Sequence, residues 1–393
     1  MRVNIIDMDH KGNGIAKIDN KVIFIPKCIT GDIVDIEIVK KHKKYDEGRL
    51  LQIVTESPDR INSLCPNYYI CGGCNISNLN YEMQLQYKKN KIINIFKRYL
   101  DINISPEIIG SDNRYEYRNK ITYKCVDGIL GLVSIDNQFS KIDRCYLVSD
   151  KVNELYNLIS KKDLSNVKKI VIKECNNGLI LGIDGDINID NIKDKCLSIY
   201  MNNSCVYRSD EGYIYIKDIK YRVSMDSFFQ VNTNNISRLY DVVLKYGDFN
   251  KDDHVIDLYC GVGSISLYIS KYVDSVLGIE IIDDAIVDAK ENARLNDIQN
   301  VSFICGAVSK LIDDNISGNK VIVDPPRTGL DNHTIEILNS IDIDRLIYVS
   351  CDPMTLVRDL KKLDKYLIKD VILVDMFPQT HHVECVIKLQ KKK

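Results

Sequence analysis

The 393 residues are 45% hydrophobic and 27% charged with a formal net charge of -2, a balance that fits a folded chain of two or three domains and excludes disorder and collagen-like repeats. No apolar run reaches the roughly 18–20 residues that a membrane-spanning helix needs. Residues 1–14 carry Asp7, Asp9, His10 and Lys11 where a secretory leader would be apolar. The expectation is a cytoplasmic protein with no membrane partner, whose 13 cysteines are thiols, metal ligands or nucleophiles rather than disulfides. Residues 1–170 hold 27 Lys and Arg against 21 Asp and Glu, whereas residues 171–393 hold 26 against 34, so the first half is the better partner for a polyanion.

In chain order, residues 1–56 alternate short apolar runs with turns: 3–8, the turn Lys11-Gly12-Asn13-Gly14, 22–25 before Pro26, and 33–39 with period-two alternation. This predicts an OB-like β-barrel, an architecture often used for oligonucleotides, and a basic run, 40–44, follows it. Residues 80–100 predict an amphipathic helix whose polar side carries Lys88, Lys89, Lys91, Lys97 and Arg98. The runs 120–125, 129–133, 169–173, 179–183 and 213–216 predict a mostly β middle region. From residue 226 the apolar strands 255–259, 275–279, 301–304, 320–323, 346–349 and 371–374 are separated by helical stretches such as 283–295 and 354–363. That alternation predicts an α/β doubly wound sheet, with ligands at the carboxyl ends of its strands. The expected domains are 1–56, 57–225 and 226–393.

The unusual residues fall at those strand ends. Asp257-Leu258-Tyr259-Cys260-Gly261-Val262-Gly263 runs from strand to helix, and its glycines allow a ligand close to the backbone. Glu280 ends the next strand, where a carboxylate can accept ribose hydroxyls; the absent third glycine points away from NAD and toward another nucleoside-type cofactor. A tight turn with no ligand is the alternative. Prolines 325, 326, 353 and 378 rigidify the loops that carry Asp324, Cys351 and the stretch before Glu384. A thiol opposite a carboxylate suits conjugate addition: sulfur attacks an electron-poor carbon and the carboxylate removes a neighbouring proton. A buried cysteine acting as a small hydrophobe is the bland reading of Cys351.

Cys65, Cys71 and Cys74 form a Cys-x5-Cys-Gly-Gly-Cys loop, which with Cys145 makes a tetrathiolate site for a cluster or for zinc; the radical-type Cys-x3-Cys-x2-Cys spacing is absent. Arg114, Tyr115, Tyr117, Arg118, Lys120, Tyr123 and Lys124 interleave cations with aromatics, as a splayed single strand of RNA requires, and equally as an ordinary exposed strand would.

Phe228-Phe229-Gln230-Val231-Asn232, the 257–263 loop, Asp324-Pro325-Pro326-Arg327, 348–353 and 377–384 stand in the order and at the spacing of the RNA uracil-5-methyltransferase family. The resemblance covers essentially the whole chain; the amino-terminal piece looks like a TRAM domain, and Tyr117-Arg118-Asn119-Lys120 is similar to a segment of the family's middle region. It implies a Rossmann-like methyltransferase domain that binds S-adenosylmethionine through Gln230, Tyr259, Glu280 and Asp324 beside Gly261 and Gly263. It also implies Cys351 as nucleophile on uracil C6, Glu384 as base at C5, and a [4Fe-4S] cluster on Cys65, Cys71, Cys74 and Cys145, with zinc the alternative. Ribosomal RNA is the expected substrate, because a cluster and a TRAM-like barrel accompany rRNA-directed members more often than tRNA-directed ones. Ser309 departs from a frequent acidic residue and Asp352 from a frequent asparagine. Rival readings are methylation of an exocyclic amine, against which Arg327 after Asp-Pro-Pro argues, a catalytically idle RNA-binding protein of the same fold, and an iron-sulfur electron carrier.

Overall fold

A computed structural model describes residues 1–135, 138–225, 227, 229–312 and 318–392. Asp226, where the third expected domain begins, and Phe228 of the Phe-Phe-Gln-Val-Asn motif lie outside the described residues.

The amino-terminal strands form a six-stranded sheet in the order Arg2–Asn4, Ile33–Lys41, Tyr45–Thr55, Lys21–Ile25, Gly14–Ile18, Asp7–Met8. Alternate residues Ile23, Ile25, Val34 and Ile36 fill its interior. Tyr45–Thr55 escapes the sequence pattern because two of its inward positions are Asp46 and Gly48. Asp46 accepts from Lys21 Nζ at 2.6 Å, and Gly48 leaves room for Ile23, Ile25 and Ile36.

The middle region is a seven-stranded sheet from Phe139–Lys141 to Ser204–Arg208, covered by the helix Asp150–Ile159. Tyr117 and Tyr123 belong to the buried core, with Tyr123 against the Tyr156 ring, so these two aromatics are not the stacking surfaces that the sequence suggested.

The carboxyl-terminal sheet has eight strands in the order Val301–Cys305, Ser275–Glu280, His254–Leu258, Lys320–Val323, Arg345–Ser350, Glu384–Lys391, Tyr366–Val374, Glu107–Ile109. The first five run parallel, and Glu384–Lys391 is antiparallel to both of its neighbours. The stretch 57–225 therefore lends this unit its last strand. It also lends the helix Tyr81–Leu100, whose Ile92, Ile95 and Phe96 join the apolar layer under the sheet. Asn80 caps this helix by accepting from the Met83 amide at 3.0 Å. Its basic face is not uniformly solvated: Lys88 and Lys91 are buried, aimed at the loop before Glu384.

Candidate active site

Sheet register brings the carboxyl-end residues together. Leu258 pairs with Val323 and Val323 with Tyr348, so Tyr259, Asp324 and the turn holding Cys351 emerge side by side. Ser350 pairs with Cys385 on the antiparallel neighbour, which sets Cys351 next to Glu384 although they lie 33 positions apart in the chain.

Cys351 is half-buried, and its thiol is pushed up to about 12 by burial first, then by the charges of Glu384 and Asp324, with Arg327 pulling it down. Glu384 is 2% exposed. Its carboxyl is pushed up to about 8 by burial and by Asp324, against Arg327. Asp352 is engaged as the cap of the helix Pro353–Lys362, accepting from the Met354 and Thr355 amides at 2.9 and 3.0 Å, a role asparagine fills equally well. Its effect on Cys351 is the smallest of the four charges. Arg358 turns away to Asp359 and the Thr328 carbonyl, leaving Arg327 as the cation that bears on both Cys351 and Glu384.

Beside this pair lies a cradle. Gly263 adopts φ +76°, and a Cβ there would meet the Phe303 ring at 2.6 Å, so only glycine fits. Tyr259 and Gly261 are also left-handed, at φ +64° and +53°. Glu280 is fixed by three backbone amides, those of Gly261 at 3.2 Å, Ile281 at 2.8 Å and Ile282 at 3.0 Å. Asp257 is buried; its Oδ2 accepts from Ser266 Oγ at 2.5 Å, while Oδ1 has no partner among the described residues. Burial pushes the Asp257 and Asp324 carboxyls up to about 7 each. Gln230 is positioned through its carbonyl, which accepts from Asn119 Nδ2 at 2.9 Å. Ser309 sits half-buried in the short helix Val308–Leu311.

Cys65, Cys71, Cys74 and Cys145 line one cleft of about 1540 Å³ between the barrel, the cysteine loop and the middle sheet. Their thiols share one electrostatic neighbourhood: the other three raise Cys74 after burial does. Gly73 donates its amide to Cys71 Sγ at 3.4 Å. Lys27 Nζ donates to the Cys71 and Cys74 carbonyls. Four thiols with amide and ammonium donors suit a thiolate-ligated group. Among the described residues no three His, Cys, Asp or Glu side chains stand as close as a single metal ion requires. Lys11, Arg49, Tyr69, Tyr115, Arg118 and Arg144 line the same cleft. Arg118 and Arg144 each bury an Nε with no hydrogen-bond partner.

The tRNA (uracil-5-)-methyltransferase family model matches residues 194–313 and 308–392, and the TRAM domain model matches residues 1–51. An uncharacterized RNA methyltransferase of Clostridium acetobutylicum is 33% identical over 99% of this chain and 96% of its own. The chain belongs to the RNA uracil-5-methyltransferase family. A second relative, from Halalkalibacterium halodurans, is 31% identical over 100% of this chain and 97% of its own. Among solved structures, the tRNA (uracil-54, C5)-methyltransferase of Pyrococcus abyssi in complex with S-adenosyl-L-homocysteine is 26% identical with a TM-score of 0.82, covering 99% of this chain and 100% of that one. The fold is accordingly the family's α/β methyltransferase domain behind an amino-terminal TRAM domain, and the protein is an RNA methyltransferase. No helix among the described residues is long and apolar enough to cross a membrane.

Sequence reasoning missed a set of buried polar groups behind the sheet edge that carries Cys351 and Glu384. Lys88 Nζ donates to Asp375 Oδ1 at 2.6 Å and to the Phe377 carbonyl at 3.0 Å. Gln84 both donates to Gln379 Oε1 and accepts from the Gln379 amide, at 3.0 Å each. Their only sequence signal is a set of polar residues at core-facing positions of an amphipathic helix.

Proposed function

We propose that the protein methylates C5 of uridine in RNA, ribosomal RNA foremost, through a covalent bond between Cys351 and C6 of the base. The adjacency of the Cys351 thiol and the buried Glu384 carboxyl across neighbouring strands carries the proposal. Uracil C5 is a weak nucleophile, and the chemistry needs both groups. Cys351 sulfur adds to C6, and the C5=C6 electron pair shifts toward the O4 carbonyl, so that C5 can take a methyl group. Glu384 then accepts the C5 proton; the pair left behind re-forms C5=C6 and expels Cys351 as a thiolate. Arg327, the cation that bears on both groups, offsets the carboxylates that oppose the thiolate.

S-adenosylmethionine, when bound, supplies the electrophilic methyl. Gln230, Tyr259, Gly261, Gly263, Glu280 and Asp324 would hold it, and the unpaired Oδ1 of Asp257 and the open space over Gly261 support a ligand there. Cys65, Cys71, Cys74 and Cys145 would hold a [4Fe-4S] cluster; stoichiometric zinc without iron in anaerobically purified protein overturns that assignment. The cleft with its cations and the exposed Tyr69 supports RNA binding, and access to both faces of the uracil requires the base to leave its stack. RNA carrying 5-fluorouridine tests the chemistry, because fluorine at C5 cannot leave as a cation. The expected result is a protein–RNA band that survives denaturing electrophoresis and is absent with Cys351→Ala. A band that persists without Cys351 overturns the assignment.

A further inference from the structure

The segment between strand Tyr366–Val374 and Glu384 is held at most of its carbonyls by other parts of the molecule. Met376 O accepts from Asn232 Nδ2 at 3.1 Å, Phe377 O from Lys88 Nζ at 3.0 Å, and Pro378 O from Tyr117 Oη at 3.1 Å. Gln379 O accepts from the backbone amides of Asn75 and Ile76 at 3.1 and 3.2 Å, and His381 O from Lys91 Nζ. Gln379 itself has a left-handed φ of +70°, which a glutamine adopts only when its surroundings over-determine it. A side-chain bond completes the set: Asn75 Oδ1 lies 2.8 Å from His381 Nδ1. Asn75 directly follows Cys74, and its own carbonyl accepts from Tyr68 Oη at 2.8 Å, so the cysteine loop is stiff where it makes this contact.

We propose that the cysteine loop positions the Glu384 base, with Asn75 and His381 as the positioning residues that carry the order of the loop into the segment ending at Glu384. The inference rests on the reading of Glu384 as the base that removes the C5 proton. Two residues separate His381 from Glu384, so a shift of the segment moves the carboxylate with it. Cys351 sits on a separate, proline-stiffened turn and stays in place. Losing the contact therefore slows proton removal selectively, leaving addition of the thiol to C6 and RNA binding intact.

The test uses the cluster-loaded full chain with unmodified substrate RNA, comparing Asn75→Ala, Asn75→Asp and His381→Ala with Glu384→Gln. Because displacing a reacting group by about 1 Å costs on the order of 10²-fold in rate, Asn75→Ala is expected to lose at least roughly tenfold in kcat with KM and RNA affinity unchanged. The methylated Cys351–RNA adduct should accumulate on denaturing gels as it does with Glu384→Gln. Iron content should stay at the parental level. Asn75→Asp, which keeps the acceptor oxygen, should restore turnover and abolish the accumulated adduct. His381→Ala should behave like Asn75→Ala, and it decides the matter if Asn75→Ala proves unstable. Adduct with Glu384→Gln but none with Asn75→Ala and His381→Ala overturns the positioning role and leaves the base assignment standing. No adduct with any of the three overturns both. Loss of turnover accompanied by lost RNA affinity or lost iron also overturns it, by reducing the contact to a fold-wide one.

Discussion

Glu384→Gln should stabilise the protein by an amount that depends on pH, in the same variant that is expected to lose turnover. The carboxyl is 2% exposed, and its value moves from an ordinary 4.5 to about 8, chiefly through burial. Since the folded value lies above the unfolded one, the fold favours the neutral acid. The stability this contributes is fully present below pH 4.5 and is lost as pH rises toward about 8. At roughly 1.4 kcal/mol per pH unit, the raised value costs the fold on the order of 3 kcal/mol at pH 7, where the folded carboxyl keeps a proton that the unfolded chain releases, and on the order of 5 above pH 8, where it ionises in place, as an upper bound. Glutamine has nearly the same shape and no proton to lose, so it removes this dependence. Unfolding midpoints of parent and variant, purified side by side in the same way, should diverge steadily between about pH 5 and about pH 8 and run parallel above that, with the variant the more stable. A constant offset between the two lines would mean that Glu384 titrates as an ordinary carboxyl, and the reasoning from burial would be wrong whatever the sign of the offset.

Turnover of the parent should fall as pH drops below about 8, the value at which Glu384 loses its proton, and Arg327→Gln should move that limb to higher pH because the cation holds both Glu384 and Cys351 down; kcat/KM against pH measures both. Lys88→Met leaves Asp375 buried without its cation and should cost about 3–5 kcal/mol in denaturant unfolding. Gly263→Ala forces an alanine to φ +76° and its Cβ against the Phe303 ring at 2.6 Å, so a loss of roughly 2–4 kcal/mol together with loss of S-adenosylmethionine binding in calorimetry is expected.

The sequence carried the parallel sheet and the edge of the site because both are written in short-range pattern. Lys320–Val323 and Asp283–Leu295 appear at their predicted bounds, since a continuous apolar run and a 3.6-residue period need no partner to be recognised. Tyr45–Thr55 did not show because its inward positions are satisfied by a distant lysine and by the absence of a side chain. The strand Glu384–Lys391 did not show either; it enters the sheet between two strands that precede it in the chain, which only the completed topology reveals. Lys88 reads as a solvated cation until Asp375 is in place 287 residues away, and Tyr123 reads as a stacking platform until the Tyr156 ring covers it. In the candidate site, Cys351, Asp324 and Glu384 were legible as residue types at strand ends. Their mutual electrostatics depend on strand ends that only the sheet register brings together, and the cysteine loop's hold on Gln379 and His381 depends on contacts between segments some 300 positions apart in the chain, such as the 306 between His381 and Asn75.

The most direct test of the proposed chemistry is nucleoside mass spectrometry on unmodified ribosomal and transfer RNA, each incubated with the protein and S-adenosylmethionine. The expected result is 5-methyluridine in the ribosomal pool, none with Cys351→Ala, and a methyl group on no other base atom. 5-Methyluridine in the transfer RNA pool alone would keep the reaction and reassign its substrate. A methyl group on an exocyclic amine, or 5-methyluridine made without Cys351, would contradict the central claim that a thiol adduct at C6 activates uracil C5.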